Sequence, residues 1–157
     1  MIEIVDDFNY LGVKFNYNNK TKKTIAKQVT QARRAMFSLV SKARKLDLPI
    51  DIQLELFDQL VIPILLYGCE VWAFGDIADI ETFYLRFCKQ VLRLKTNTAT
   101  CMVYGEIGRS GISTVIDKRL VLYWYKLARS KNSKLSNVIY RLMYSLHMRK
   151  EFTNLHG

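Results

Sequence analysis

Proline is nearly absent from this chain, two in 157 residues, and there are only three cysteines, two histidines and seven glycines. Three cysteines cannot pair evenly, which excludes a small disulfide-built scaffold. Cys69, Cys88 and Cys101 include no C-x-x-C pair, and His147 and His156 lie far from them in sequence. Zinc-site spacing is therefore missing, and buried free thiols are the expectation. Neither histidine stands in a Ser/His/Asp or Cys/His context, which leaves nucleophilic catalysis without a candidate. Gly105, Gly108 and Gly111 precede no Lys-Ser or Lys-Thr and follow no clear strand, so a phosphate-cradling nucleotide loop is not expected either. The longest apolar run, Leu60 to Cys69, is interrupted by Pro63 and is far short of the roughly 20 residues that span a bilayer. A secretory leader is not visible at Met1 to Val5, which run directly into Asp6 and Asp7. A cytoplasmic or nuclear location with reduced thiols is the expectation.

Acid is also scarce, but only in places. The chain holds 24 Lys+Arg against 14 Asp+Glu, a net charge of +10, and these charges fall into blocks. Phe8 to Leu46 has ten bases and no acid, Leu46 to Leu85 has eight acids and no base, and Arg86 to Gly157 has fourteen bases and three acids. What is abundant is apolar matter: 50% hydrophobic and 12% aromatic residues suffice for a packed core and exclude a disordered tail.

The hydrophobic pattern changes period along the chain. Ile2 to Val5 alternates, Asp6 to Asn9 is turn-like, and Tyr10 to Phe15 alternates again, which predicts a β-hairpin followed by a polar loop to Lys20. From Thr21 or Thr24 the period becomes helical. Ile25, Val29, Ala32, Met36, Leu39, Ala43 and Leu46 recur three and four apart and form one apolar stripe. A second helix is expected from Pro49 to Asp51 through Leu65, kinked or broken at Pro63, and Cys69 to Phe74 is a connector or a further helical turn. Asp76 and Asp79 open a third, with Ile80, Phe83, Phe87 and Val91 inward. The stretch to Gly111 is read as a short segment with tight turns. A fourth helix, Ile112 to Arg129, and a fifth, Ser133 to Met148, complete a mainly α chain: an N-terminal hairpin followed by a bundle of about five helices. The expected divisions are 1–20, 21–95, 96–150 and a structureless tail, 151–157. Trp72, Tyr123, Trp124 and Tyr125 sit in apolar contexts and read as core or interface residues.

Asp6-Asp7 is the only acidic doublet, and capping or solvation accounts for nearly all the remaining acids, so the residues display no active site. The first helix is more informative. With Ile25 at 0°, its apolar stripe spans about 300° to 60°, while Lys23, Lys27, Arg34 and Lys45 fall at about 160°, 200°, 180° and 200°. That row runs for about 33 Å, close to one turn of a nucleic-acid duplex, and suits phosphate tracking. Arg33 and Arg44 flank it, Lys20 and Lys22 extend it into the loop, and Phe37 is placed to cover a sugar or base.

The ordered set Phe8-Asn9-Tyr10-Leu11-Gly12-Val13, Gln31-Ala32-Arg33-Arg34-Ala35 and Pro63-Ile64-Leu65-Leu66-Tyr67-Gly68-Cys69-Glu70-Val71-Trp72 resembles the C-terminal part of a non-LTR (LINE-type) retrotransposon reverse transcriptase. Phe87-Cys88-Lys89 and Val103 to Arg109 are similar to further stretches of such open reading frames, so the resemblance covers about residues 1 to 130. It implies a primer-grip-like turn at Tyr10, Leu11 and Gly12, and a helical, thumb-like domain whose basic residues Lys20, Lys22, Lys23, Lys27, Arg33, Arg34, Arg44 and Lys45 hold an RNA/DNA template-primer duplex. It also implies a missing palm as a further partner. The family's aspartate-pair motif does not occur, since Asp6-Asp7 follows Ile4-Val5. The expectation is a fragment of an RNA-directed DNA polymerase that is not catalytic alone and carries no cofactor, the divalent metal belonging to the missing palm. A different class of reading is a helical protein-interaction or structural module with complementary basic and acidic surfaces. Membrane attachment is disfavoured by the alanine-rich, Trp-poor apolar stripe.

Overall fold

In the computed structural model, the described residues are 7–10, 12–16, 21–73, 75–130 and 134–154. Eight helical segments dominate them, together with two short strands. Strand β1 (Asp7–Tyr10) pairs antiparallel with β2 (Val13–Asn16), Tyr10 opposite Val13, so the reversal falls at residues 11 and 12. The turn-like reading of Asp6 to Asn9 is thus corrected: Asp7 to Asn9 are strand. A two-residue hairpin loop demands positive φ, and Gly12, at φ +85°, meets that demand without steric cost. The expected strand at Ile2 to Val5 lies outside the described residues.

Helix α1 (Lys22–Lys45) buries Ile25, Val29, Ala32, Met36, Leu39 and Ala43, the stripe expected from periodicity. Its buried arc is wider than that stripe, because Thr24, Gln28 and Val40 are buried too, and Leu46 is exposed as the C-cap. The helix ends in a left-handed residue, Asp47 (φ 47°), with the Leu48 amide reaching back to the Ala43 carbonyl at 3.0 Å. That is a Schellman stop built without glycine.

The expected second helix is two: α2 (Ile50–Leu60) and α3 (Ile62–Leu65), separated at Val61. Proline has no N–H to give and its ring crowds the carbonyl four residues back, so Pro63 interrupts the helix upstream of itself. Phe57 from α2 is fully buried and stacks on Phe87, with centroids 3.8 Å apart. Burying one such ring is worth about 1.5–3 kcal/mol. A left-handed Gly68 then leads into α4 (Cys69–Trp72), whose Trp72 is buried and donates its indole N–H to the Tyr67 carbonyl at 2.9 Å.

Asp76 accepts the Ala78 amide at 2.9 Å and starts α5 (Ala78–Val91), which buries Ile80, Phe83, Phe87 and Val91 as expected. The stretch read as a short turn-rich segment contains a helix, α6 (Thr100–Glu106). Gly105 lies inside that helix, and the left-handed Gly108 ends it. Helix α7 (Ile112–Arg129) follows, then α8 (Leu135–Asn154). Glu151 to Asn154 are helical, which corrects the structureless reading of that part of the tail.

The chain divides into two compact units, Met1–Asp117 and Lys118–Gly157. The first holds the hairpin, α1 to α6 and the start of α7. In the second, the buried Asn137 side chain donates to the Leu127 carbonyl at 2.7 Å, and the Arg129 guanidinium sits 5.3 Å above the Tyr125 ring centroid. Tyr123, Trp124 and Tyr125 are exposed, unlike the buried Trp72. Val121 to Tyr125 is a consecutive apolar run, and a helix can bury only one stripe of it against a single neighbour.

Candidate nucleic-acid interface

The hairpin turn and the Tyr67-Gly68 turn, far apart in sequence, meet. The Lys27 ammonium donates to the Gly12 carbonyl at 2.8 Å and ties the hairpin turn to α1. Tyr67 lies against Gly12, and a Cβ placed on Gly68 would come within 3.1 Å of the buried Val13 side chain and 3.7 Å of the Trp72 indole nitrogen. Two of the stretches that carried the family resemblance therefore form one packed junction.

Of the basic residues singled out from the sequence, Lys22, Lys23, Arg33, Arg34, Arg44 and Lys45 are exposed along α1, and Lys27 is half-buried at the hairpin. Helix α1 contains no acid. Tyr10 closes β1, while Leu11 and Lys20 lie outside the described residues. Arg33 and Arg44 face α5 instead of forming a uniform row with the others: Arg33 lines a cavity of about 320 Å³ with Arg86, and Arg44 lines another of about 330 Å³ with Arg93. Periodicity on α1 alone could not find Arg86 or Arg93; Thr82, Arg86 and Gln90 recur four apart and share a face of α5, while Arg93 lies just past its end.

Several acids of the middle block have partners within the chain. Asp58 and Arg109 form a bidentate pair, at 2.7 and 2.8 Å, with the Tyr84 hydroxyl 3.5 Å from the same guanidinium. Glu81 accepts the Tyr104 hydroxyl at 2.8 Å and the Ser113 amide at 3.2 Å, placing a carboxylate at the N-terminus of α7 where the helix dipole favours it. Gly111 is needed for that approach, since a Cβ there would stand 2.5 Å from Glu81 Oε1. The Tyr104-to-Gly111 segment thus acts as a clasp holding the α2–α5 surface.

Cys69 and Cys88 are buried and Cys101 is exposed, which corrects the expectation that all three are buried. Burial pushes the Cys88 thiol up to about 11, the opposite of what a nucleophile requires. Burial also raises Tyr84, and burial with the Glu81 carboxylate raises Tyr104. Among the described residues no three His, Cys, Asp or Glu side chains cluster to hold a metal, and no helix is long and apolar enough to cross a membrane. No family model, curated protein or solved structure matches the chain.

Proposed function

We propose that the chain is a nucleic-acid-binding, thumb-like piece of a non-LTR reverse transcriptase, gripping the backbone of a template-primer duplex and performing no chemistry by itself. The observation that carries the reading is α1: a 24-residue helix without a single acid, with exposed Lys22, Arg34 and Lys45 spread from end to end. Its length, about 36 Å at 1.5 Å per residue, matches one duplex turn. Contacts of this kind neutralise phosphates without reading bases, so they suit an RNA–DNA hybrid as well as DNA. The Lys27–Gly12 tie supports the same reading, because it holds the Tyr-Leu-Gly turn at a set place beside the basic helix. The alternative of a protein-interaction module has one specific observation in its favour, the exposed Val121, Trp124, Leu135, Leu142 and Met143 of the second unit. The use of Asp58 and Glu81 inside the chain counts against complementary acidic and basic surfaces.

Salt titration tests the proposal. Affinity for a short RNA–DNA hybrid should fall linearly in log-log form, and replacing Arg34 and Lys45 by Ala should flatten the slope by about one unit per lost phosphate contact. Salt-insensitive binding, or none, overturns it, as does primer extension by the chain alone.

A further inference from the structure

Helices α1 and α5 lie side by side and run in the same direction. Ala26, Thr30 and Arg33 of α1 line one cavity with Asp79, Thr82 and Arg86 of α5, while Val40 and Arg44 line a second with Gln90 and Arg93, so both helices advance together from the first cavity to the second. The α1 residues at the two cavities fall on one side of that helix, and Thr82, Arg86 and Gln90 on one side of α5, with Arg93 just past its C-terminus. The two cavities therefore lie one after the other along the same α1–α5 seam, referred to below as the groove. Each cavity carries an arginine pair, Arg33 with Arg86 and Arg44 with Arg93, against one carboxylate apiece, Asp79 and Asp47. Along α1 the pairs stand 11 residues apart, about 16 Å.

Two further observations indicate what the groove takes. Phe37 is 58% exposed and shares the face of Arg33 and Arg44, four residues after the first and seven before the second. An exposed aromatic ring between two cationic pairs is the arrangement on which single strands stack a base while their phosphates are neutralised. Arg93, at φ 56°, occupies the left-handed stop of α5, with the Leu94 amide bonded to the Lys89 carbonyl at 2.9 Å. Glycine is the natural occupant of such a position, so an arginine there holds its charge beside Arg44 against a backbone preference. A duplex cannot sink between two packed helices whose axes are about 8–10 Å apart, whereas one strand can lie along the seam.

We infer that the α1–α5 groove binds a single strand of nucleic acid, with Arg33/Arg86 and Arg44/Arg93 on phosphates and Phe37 under a base. This site shares a ligand class with the duplex-gripping reading but uses a different face, and each can fail without the other.

The test measures fluorescence anisotropy of a labelled oligothymidylate of about 12 nucleotides, within the ordinary range of single-strand site sizes, and of a duplex of equal length, with the full chain. Phe37→Ala and the pair Arg86→Ala/Arg93→Gly should each weaken single-strand binding by about tenfold and leave duplex binding within about twofold. Phe37→Trp should retain affinity, and Phe37→Leu, which keeps apolar bulk but no π-face, should lose it. Circular dichroism checks that each variant is folded. Unchanged single-strand affinity in the Phe37→Ala and arginine variants overturns the assignment, and so does an equal loss for duplex, the mark of a general electrostatic surface. The Arg34/Lys45→Ala variant should do the reverse, weakening duplex alone. If that variant leaves duplex binding intact while the groove variants behave as expected, the duplex reading fails and the groove assignment stands.

Discussion

Replacing Gly68 by Ala should loosen the junction between the hairpin and the Tyr67 turn, by an amount the geometry allows to be worked out. Gly68 sits at φ +66°, where a Cβ costs roughly 1–2 kcal/mol against the following carbonyl. That new Cβ would also stand 3.1 Å from the Val13 methyl and 3.7 Å from the Trp72 indole nitrogen, both of them buried, and forcing such a core to yield costs about 1–2 kcal/mol more. Two other glycines separate these contributions. Gly108, at φ +62°, has nothing within 4 Å of its Cβ position, so Gly108→Ala carries the backbone cost alone, about 1–2 kcal/mol. Gly105 is helical and also open, so Gly105→Ala should stabilise by about 0.5–1 kcal/mol. Urea denaturation followed by far-UV circular dichroism would read the three, and at about 2–4 °C per kcal/mol a thermal melt would place Gly68→Ala roughly 4–16 °C below the parent. The reasoning is refuted if Gly68→Ala loses no more stability than Gly108→Ala, or if Gly105→Ala is the most damaging of the three.

Thiol reagents should modify one cysteine of the native chain, Cys101, and all three after denaturation, as counted by released chromophore; rapid native modification of Cys69 or Cys88 would contradict their burial. Stability should also decline in alkali. Burial raises the Cys88 thiol to about 11 in the folded chain, so its contribution is complete below about pH 9 and is lost as pH rises towards 11, about 2–3 kcal/mol at 1.36 kcal/mol per unit. Tyr84 and Tyr104 are shifted in the same direction and extend the loss above pH 10; Cys88→Ala should move the onset of the alkaline decline upward in urea midpoints measured across pH.

Much of the helical architecture was legible because long amphipathic helices repeat their burial signal many times. Six buried residues of α1 and four of α5 follow directly from spacing. Short elements gave no such redundancy. The seven-residue α6 was hidden by its glycine, the α2–α3 break fell at Val61 because Pro63 acts upstream, and the hairpin reversed at Gly12 instead of at the Asp-rich stretch before it. The candidate interface was half-visible: α1 announced itself by lacking acid, but Arg86 and Arg93 belong to the groove only because α5 packs alongside α1.

By itself the sequence determined the mainly helical character, the apolar stripes and the blockwise charge, since these depend on local periodicity and composition. Tertiary structure decided which charges are occupied and which face outward. Lys27 reaches a hairpin carbonyl fifteen residues earlier, Arg109 meets Asp58 fifty-one residues away, and Glu81 caps a helix that starts thirty-one residues later. Such pairings depend on how packed helices bring distant side chains together. The scarcity of proline and glycine sharpened in the same way. Few breaks allowed long helices, and Gly12, Gly68, Gly108 and Gly111 stand where a positive φ or a close approach leaves least room for a side chain.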